Sequence, residues 1–380
     1  MEQVVDKDIK TVNIKVNPDE RYTPVCHVCK TGTKNIHSYN ERTIRDRDIF
    51  DAKTFISVIY RTLRCMVCGN VVEELPLMYP YERVTKRLAT YIVELCQYMT
   101  ITEVADHLGL DWKTVKDIHK RHLQQKFSQE DTITPRIILI DEISLKKRHT
   151  YLSVIADWDS GRVLGVQKDR TYESIKAFFD SLSDEVRAGI EAVGINMWDP
   201  YIKAITESCP KAMIVFDAFH VIAAFGRVID KVRNSEYHEA ENSGKAVIKG
   251  TKYLLLKNKH NITPEEKPRL KQLLELNQNL ATAYILKDSL KKLWDYKYPT
   301  WAKKALDNWC SIAYESKVKP LMDFANTLMK YSYGIINHCT FPIHTSLLEG
   351  MNNKIKVIKR KAYGFHDIEY FSLVIKDAFT

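Results

Sequence analysis

Three carboxylates in this 380-residue chain stand where oxygen-ligand chemistry could be done. Asp141 ends the apolar run Ile137-Ile138-Leu139-Ile140, and Asp217 ends Met213-Ile214-Val215-Phe216. Glu349 opens Glu349-Gly350-Met351-Asn352-Asn353-Lys354-Ile355-Lys356. Mg2+ and Mn2+ prefer oxygen ligands. Three converging carboxylates can hold two such ions about 3.5–4 Å apart, a pair that activates water, stabilises a leaving oxygen and neutralises phosphate charge. A single Asp at a strand end is more often a cap or turn residue, so the weight rests on the three together. A second constellation is sulfur-based: Cys26-His27-Val28-Cys29 and Cys65-Met66-Val67-Cys68. Each Cys-x-x-Cys turn offers two thiolates on one side of an ion, and two turns complete a zinc tetrahedron. The pairs lie about 35 residues apart, longer than the usual ribbon spacing. His27 or His37 could replace one ligand, and the plain alternative is four unrelated buried cysteines. Metal there would act as a folding staple, since so small a region has little core.

The elements that must position these groups can be read from periodicity. Residues 136–142 read as a central buried strand delivering Asp141, residues 150–157 and 162–167 as a hairpin, and residues 174–182 as a helix. Residues 211–217 read as a second buried strand, placed next to the first. Strand, hairpin, helix and returning strand is the order of an RNase H-like fold, with the two acids at adjacent strand ends. Glu142 follows Asp141 and should take the opposite strand face. Asp157 reads as a turn residue, with a place in the metal shell as the lesser alternative. His220 lies one helical turn beyond Asp217, where it could orient an acid, contact phosphate or be structural.

The segment 346–360 has helical period. Leu348, Met351, Ile355 and Ile358 make an apolar stripe, while Glu349, Asn352, Asn353, Lys356 and Arg360 share another face. Five basic residues and no acid between Lys354 and Lys361 suit a phosphate track beside a metal site, so Asn352, Lys356 and Arg360 are candidate DNA contacts.

Ahead of the catalytic region stands a helix-turn-helix pattern. Ile101–Leu108 is amphipathic, capped by Thr100 or Thr102 and stopped by Gly109. Asp111 or its neighbour caps a second helix over 112–122, leaving Trp112, Lys113, Thr114, Lys116 and Lys120 to face a DNA groove. A helix over 86–98 completes a trihelical unit, and a plain helical hairpin is the alternative. The organisation is therefore multidomain α+β: a zinc-binding module at 1–75, a helix-turn-helix at 76–130, a catalytic core at 131–220, a helical insertion at 221–340, and a core helix carrying the third acid at 341–380. Trp294, Trp301 and Trp309 read as packing anchors of the insertion.

Net charge is +9, compatible with a polyanionic partner without proving one. No apolar stretch is long enough to span a membrane. The residues Met1-Glu2-Gln3-Val4-Val5-Asp6-Lys7 lack a secretory core, and eight cysteines with no framework spacing suit a cytosolic chain. Cys96, Cys209, Cys310 and Cys339 read as small core residues.

Taken together, the motifs resemble a known family, the bacterial insertion-sequence transposases of the ISL-three family. The resemblance is carried by Ile140-Asp141-Glu142, Asp217-Ala218-Phe219-His220-Val221, Glu349-Gly350-Met351-Asn352-Asn353-Lys354-Ile355-Lys356 and Lys359-Arg360-Lys361-Ala362-Tyr363-Gly364-Phe365, and it covers nearly the whole chain. Two segments depart from it, Ile343-His344-Thr345-Ser346 and Asn196-Met197-Trp198-Asp199-Pro200-Tyr201. It implies a DDE catalytic domain interrupted by a helical insertion, binding of terminal inverted repeats and target DNA, and Mg2+-dependent strand transfer. On this reading Asp141 bridges both ions, Asp217 and Glu349 each complete one shell, and the protein works on nucleoid DNA as a homodimer or higher oligomer. A domesticated DNA-binding regulator and an RNase H-like nuclease are the alternatives.

Overall fold

The computed structural model describes residues 2–6, 10–79, 82–128, 134–146, 150–344 and 346–380. The chain forms two compact units, Met1–Glu130 and Asp131–Thr380.

In the first unit β1 (Glu2–Asp6), β2 (Thr11–Val16), β3 (Ile36–Arg45), β4 (Lys53–Cys65) and β5 (Gly69–Val72) make one sheet. β4 is its spine: it pairs β2 in parallel and β3 and β5 antiparallel. Strand alternation turns Ile56 and Val58 inward, where Ile44 and Met78 close a small core. So thin a core explains why other devices appear. Arg61 and Glu73 form a buried ion pair at 2.7 Å, with side chains 9% and 6% exposed. Glu73 also accepts the Arg61 backbone N–H, so both charges are satisfied as burial demands.

Three helices follow: α1 (Lys86–Cys96), α2 (Ile101–Leu108) and α3 (Trp112–Ser128). Thr100 and Glu103 make a full capping box at the start of α2. Gly109 ends it at φ 63, a left-handed conformation that a side chain would strain. Asp111 then accepts the backbone N–H groups of Lys113 and Thr114, starting α3. Leu88, Ile92, Val104, Leu108, Val115 and Ile118 form the shared core. The trihelical expectation is met. α3 runs six residues past the expected end at 122, because Leu123 adds a buried contact one turn on.

The second unit is built on β6 (Ile137–Lys146), β7 (Thr150–Asp157), β8 (Val163–Lys168), β9 (Ala192–Ile195) and β10 (Met213–Phe216), in the order β10-β9-β6-β7-β8. The first three are antiparallel, and β9 and β10 run parallel to β6. This is the RNase H-like order. Two expectations change. β9, absent from the sequence reading, lies between β6 and β10, so the two acid-bearing strands are not adjacent. Asp141 is also not at its strand end, since β6 continues to Lys146.

Helices cover both faces. α4 (Tyr172–Asp180), α5 (Asp184–Ala188) and α6 (Asp199–Ser208) precede β10, and α7 (Ala218–Glu239) leaves it. The insertion continues through α8 (Asn242–Ile248), α9 (Lys252–Leu256), α10 (Glu266–Leu276), α11 (Gln278–Lys291), α12 (Pro299–Glu315), α13 (Lys319–Lys330) and α14 (Ser332–Ile336). The chain then returns as α15 (Ser346–Lys361) and α16 (Ile368–Asp377). Trp309 is 2% exposed and donates to the Leu286 carbonyl, an anchor as expected. Trp301 is not one: it is 58% exposed. Cys209 and Cys310 are buried in this unit's core, while Cys339 is half-buried.

Candidate functional site

Strand parity decides which groups can meet on β6. Ile137, Leu139 and Ile143 pack with Leu348, Met351 and Ile355 of α15, while Ile138 and Ile140 pack on the opposite face with Tyr201 of α6. Alternation therefore aims Asp141 toward the α15 side and Glu142 toward the α6 side. Val215 belongs to the α15-side cluster, so Asp217, two residues on, shares the face of Asp141.

Register then sets their level. β9 pairs with β6 as far as Leu139↔Gly194, and with β10 as far as Ile195↔Phe216. One step further brings Asn196 level with both acids. With one strand between them their backbones stand about 9–10 Å apart, twice the inter-strand spacing. His220 spans that gap: its Nε2 is 3.6 Å from Asp141 Oδ1 and 3.8 Å from Asp217 Oδ2. Contact with Asp141 raises the His220 pKa above the ordinary imidazole value, against the opposing effect of burial. Asp217 is 6% exposed and caps α7, accepting the Phe219 N–H at 3.1 Å.

The third acid comes from α15. Glu349 is exposed. Asn352, three residues on and 7% exposed, donates its Nδ2 to Asp141 Oδ2 at 2.6 Å. Residues at i and i+3 are neighbours on a helix surface, so this bond brings Glu349 to the Asp141 side of the site. The structure turns Asn352 inward rather than toward DNA: its amide is drawn to the buried carboxylate. Lys356 and Arg360 remain exposed on α15. Thr345, in one of the departing segments, lies outside the described residues.

Behind Asp141 is a group the sequence reading passed over. Glu142 accepts both of its hydrogen bonds from Asn196 Nδ2, at 3.1 and 2.9 Å. Burial pushes its carboxyl above the usual range, while Asn196, Arg170 and His220 pull it back. The Arg170 guanidinium lies between Trp198 and Tyr151, at 4.4 and 4.9 Å from their ring centres. Asn196 stands in a segment that departs from the family resemblance, and the one available signal was its place after an unrecognised strand. Asp157 serves its turn, accepting the Ser160 N–H and hydroxyl.

In the first unit Cys26, Cys29, Cys65 and Cys68 converge, with all four Sγ atoms within 4.8 Å of one another. All four are free thiols, with Cys29 and Cys65 Sγ 3.5 Å apart. The geometry is local: Cys65 ends β4, Cys68 precedes β5, and Cys26 bridges to Glu73. Thr31 donates to the Cys29 sulfur and holds that thiol down to about 6, whereas burial and the neighbouring sulfurs push Cys68 up to about 12. Such a cluster cannot ionise fully without a cation, and its donors fit a thiophilic one. His27 Nδ1 is engaged with the Val72 carbonyl at 2.8 Å, and His37 Nδ1 lies 3.4 Å from the Ser38 hydroxyl. Neither joins the cluster. On α3, Trp112 and Lys113 are exposed and Lys116 and Lys120 half-buried.

Comparison with known proteins now adds its finding. Residues 138–375 match a family model described as a transposase, and residues 73–123 match the helix-turn-helix domain of transposase family ISL3. The transposase for insertion sequence element IS1001 of Bordetella parapertussis is 37% identical over 374 residues, 97% of this chain and 92% of that protein. The chain belongs to transposase family ISL3. A second relative of this ISL3 protein, the transposase for insertion sequence element IS1557 of Mycobacterium tuberculosis, is 27% identical over 348 residues, 85% of this chain and 78% of that one. The ISL3 chain is accordingly a DDE transposase, a DNA-binding enzyme that cuts DNA and transfers strands. The family implies a divalent metal, and the donor set fits one. Two carboxylates converge on one imidazole, and the neighbouring Asn352 Oδ1 is buried with no hydrogen-bond partner. Among the described residues, no helix is long and apolar enough to cross a membrane.

Proposed function

We propose that Asp141, Asp217 and Glu349 are the catalytic carboxylates and hold two Mg2+ or Mn2+ ions. The observation that supports this best is the sharing of His220 by two acids on one sheet face, with Glu349 one turn from the amide that grips Asp141. Ions so held supply the Lewis acidity that phosphodiester cleavage and strand transfer require. The chain's own groups do the rest. His220 holds the two carboxylates in register and offsets their repulsion before DNA binds. Asn352 fixes the rotamer of Asp141. Lys356 and Arg360, exposed on α15, neutralise backbone phosphates of the DNA.

End recognition belongs to the first unit. Lys113, Lys116 and Lys120 on α3 contact DNA at the groove, with α2 crossing its backbone. The four cysteines bind one structural Zn2+ that fixes the β-module. The functional boundaries are 1–75, 76–130, 131–220, 221–340 and 341–380. The substrates are the element's terminal inverted repeats and target DNA in the nucleoid, and two ends are paired by a homodimer or higher oligomer. A strand-transfer reaction on a fragment bearing the element's ends, run with Mg2+ and with chelator, tests the reading. Binding without cleavage would make the protein a regulator, and cleavage without joining a nuclease.

A further inference from the structure

Asn352 carries more than the hydrogen bond to Asp141. The residue is 7% exposed on α15. Its Nδ2 reaches Asp141 Oδ2 at 2.6 Å, the short distance of a bond to an ionised acceptor. Its Oδ1 is buried and has no hydrogen-bond partner in the protein. Leaving a buried carbonyl unsatisfied is costly, and folded proteins keep few of them. A leucine would fill this position without that cost.

The location narrows what the oxygen is for. Oδ1 and Nδ2 share one carbon, so the nitrogen's grip on Asp141 keeps the oxygen within the same cluster of groups. Glu349 lies one helical turn earlier on the same element. Amide carbonyl oxygens are hard, neutral donors that divalent cations accept beside carboxylates. Asn196 offers a contrast. Its Oδ1 is also buried and unpartnered, but its amide holds Glu142, on the other face of β6.

We propose that Asn352 is a neutral oxygen donor of the divalent-cation shell, kept in place by its own hydrogen bond to Asp141. This rests on the reading of Asp141 as a metal ligand. One amide thereby couples the rotamer of an acid to the cation that the acid binds, and ties both to the seating of α15 on β6.

The test is Mn2+ binding to the full chain without DNA, followed by electron paramagnetic resonance. Asp141→Asn should abolish the site. Asn352→Leu should weaken Mn2+ binding by about 10-fold or more. Asn352→Asp, which keeps an oxygen at the Oδ1 position, should bind Mn2+ at least as tightly as wild type. With 13Cγ-labelled asparagine, double resonance should show a carbon coupling to Mn2+ in wild type that Asn352→Leu lacks. Melting curves in chelator report whether each variant folds, and Asn352→Ser replaces the leucine variant if that one does not. Asn352→Asp binding as weakly as Asn352→Leu, with no carbon coupling in wild type, would reduce Asn352 to a pin for Asp141 and overturn the proposal. Unchanged Mn2+ affinity in Asp141→Asn would overturn the reading of Asp141 itself, and the proposal with it.

Discussion

The two candidate metal centres of this chain are built in opposite ways. The cysteine cluster is made by turns at the ends of neighbouring strands of one sheet, and its four sulfurs are already within 4.8 Å of one another. The carboxylate site draws one acid from β6, one from the start of α7 and one from α15, with a histidine occupying the space between the first two. A closed sulfur shell suits an ion that never leaves and never meets substrate. An open oxygen shell with an exposed third acid suits ions that must also touch phosphate.

The sharpest way to break this comparison is to remove one ligand from each centre. Asp141→Ala or Asp217→Ala should lower strand cleavage by about 10^3-fold or more. Binding of end DNA in a gel-shift assay should persist, and melting in chelator should not fall, because no stabilising ion has been lost. Cleavage near the wild-type rate in either variant would remove that acid from the site. Cys65→Ser with Cys68→Ser should do the reverse. Atomic absorption should fall from about one zinc per chain to none. The first unit should melt separately and earlier, with end binding lost. A double variant that keeps its zinc and its melting temperature would show that the cluster is not a staple.

A finer cut separates DNA reading from DNA chemistry. Lys113→Ala should weaken end binding a few-fold and flatten the salt dependence of log K by about one unit of slope, if it meets one phosphate. Cleavage at saturating protein should hold. The smallest effect is expected in the insertion, which contains a buried cation with no ligand role. Lys287 is 3% exposed and donates to the Leu255 and Lys257 carbonyls. Burial lowers its pKa from 10.5 to about 8. Between those values the unfolded chain binds more protons than the folded one, so stability should rise with pH there. The slope is about 1 kcal/mol per pH unit, and Lys287→Met should flatten it in denaturant titrations. An unchanged slope would locate the pH dependence elsewhere.

How much of this was legible in the sequence follows from the range of each signal. The hairpin 150–168 and the helices around Gly109 are set by local alternation and caps, and they appear as read. β9 was not legible. It has four residues, Ala192-Val193-Gly194-Ile195, with a glycine inside and no acid at its end, and only tertiary pairing makes it a strand. Asp141 looked terminal because the apolar run stops there, although its pairing with β7 continues to Lys146. Asn352 was grouped with the outward face of its helix, because helical projection cannot tell that a carboxylate from β6 reaches that flank. The Glu142–Asn196 pair depends on the same missing strand. Trp301 was read inward on size alone, with no measure of which side its helix buries.

One feature of chain order has a temporal consequence. Glu349 is carried on α15, while the end-reading helices are complete by Ser128. Domains generally fold as units from the N-terminus during synthesis, at about 5–20 residues per second. For tens of seconds, therefore, a nascent chain on its ribosome can hold DNA through a finished first unit while the scissors lack a blade. Chains that stop early in that interval would occupy the element's ends without cutting them, so translation itself limits how often the element moves.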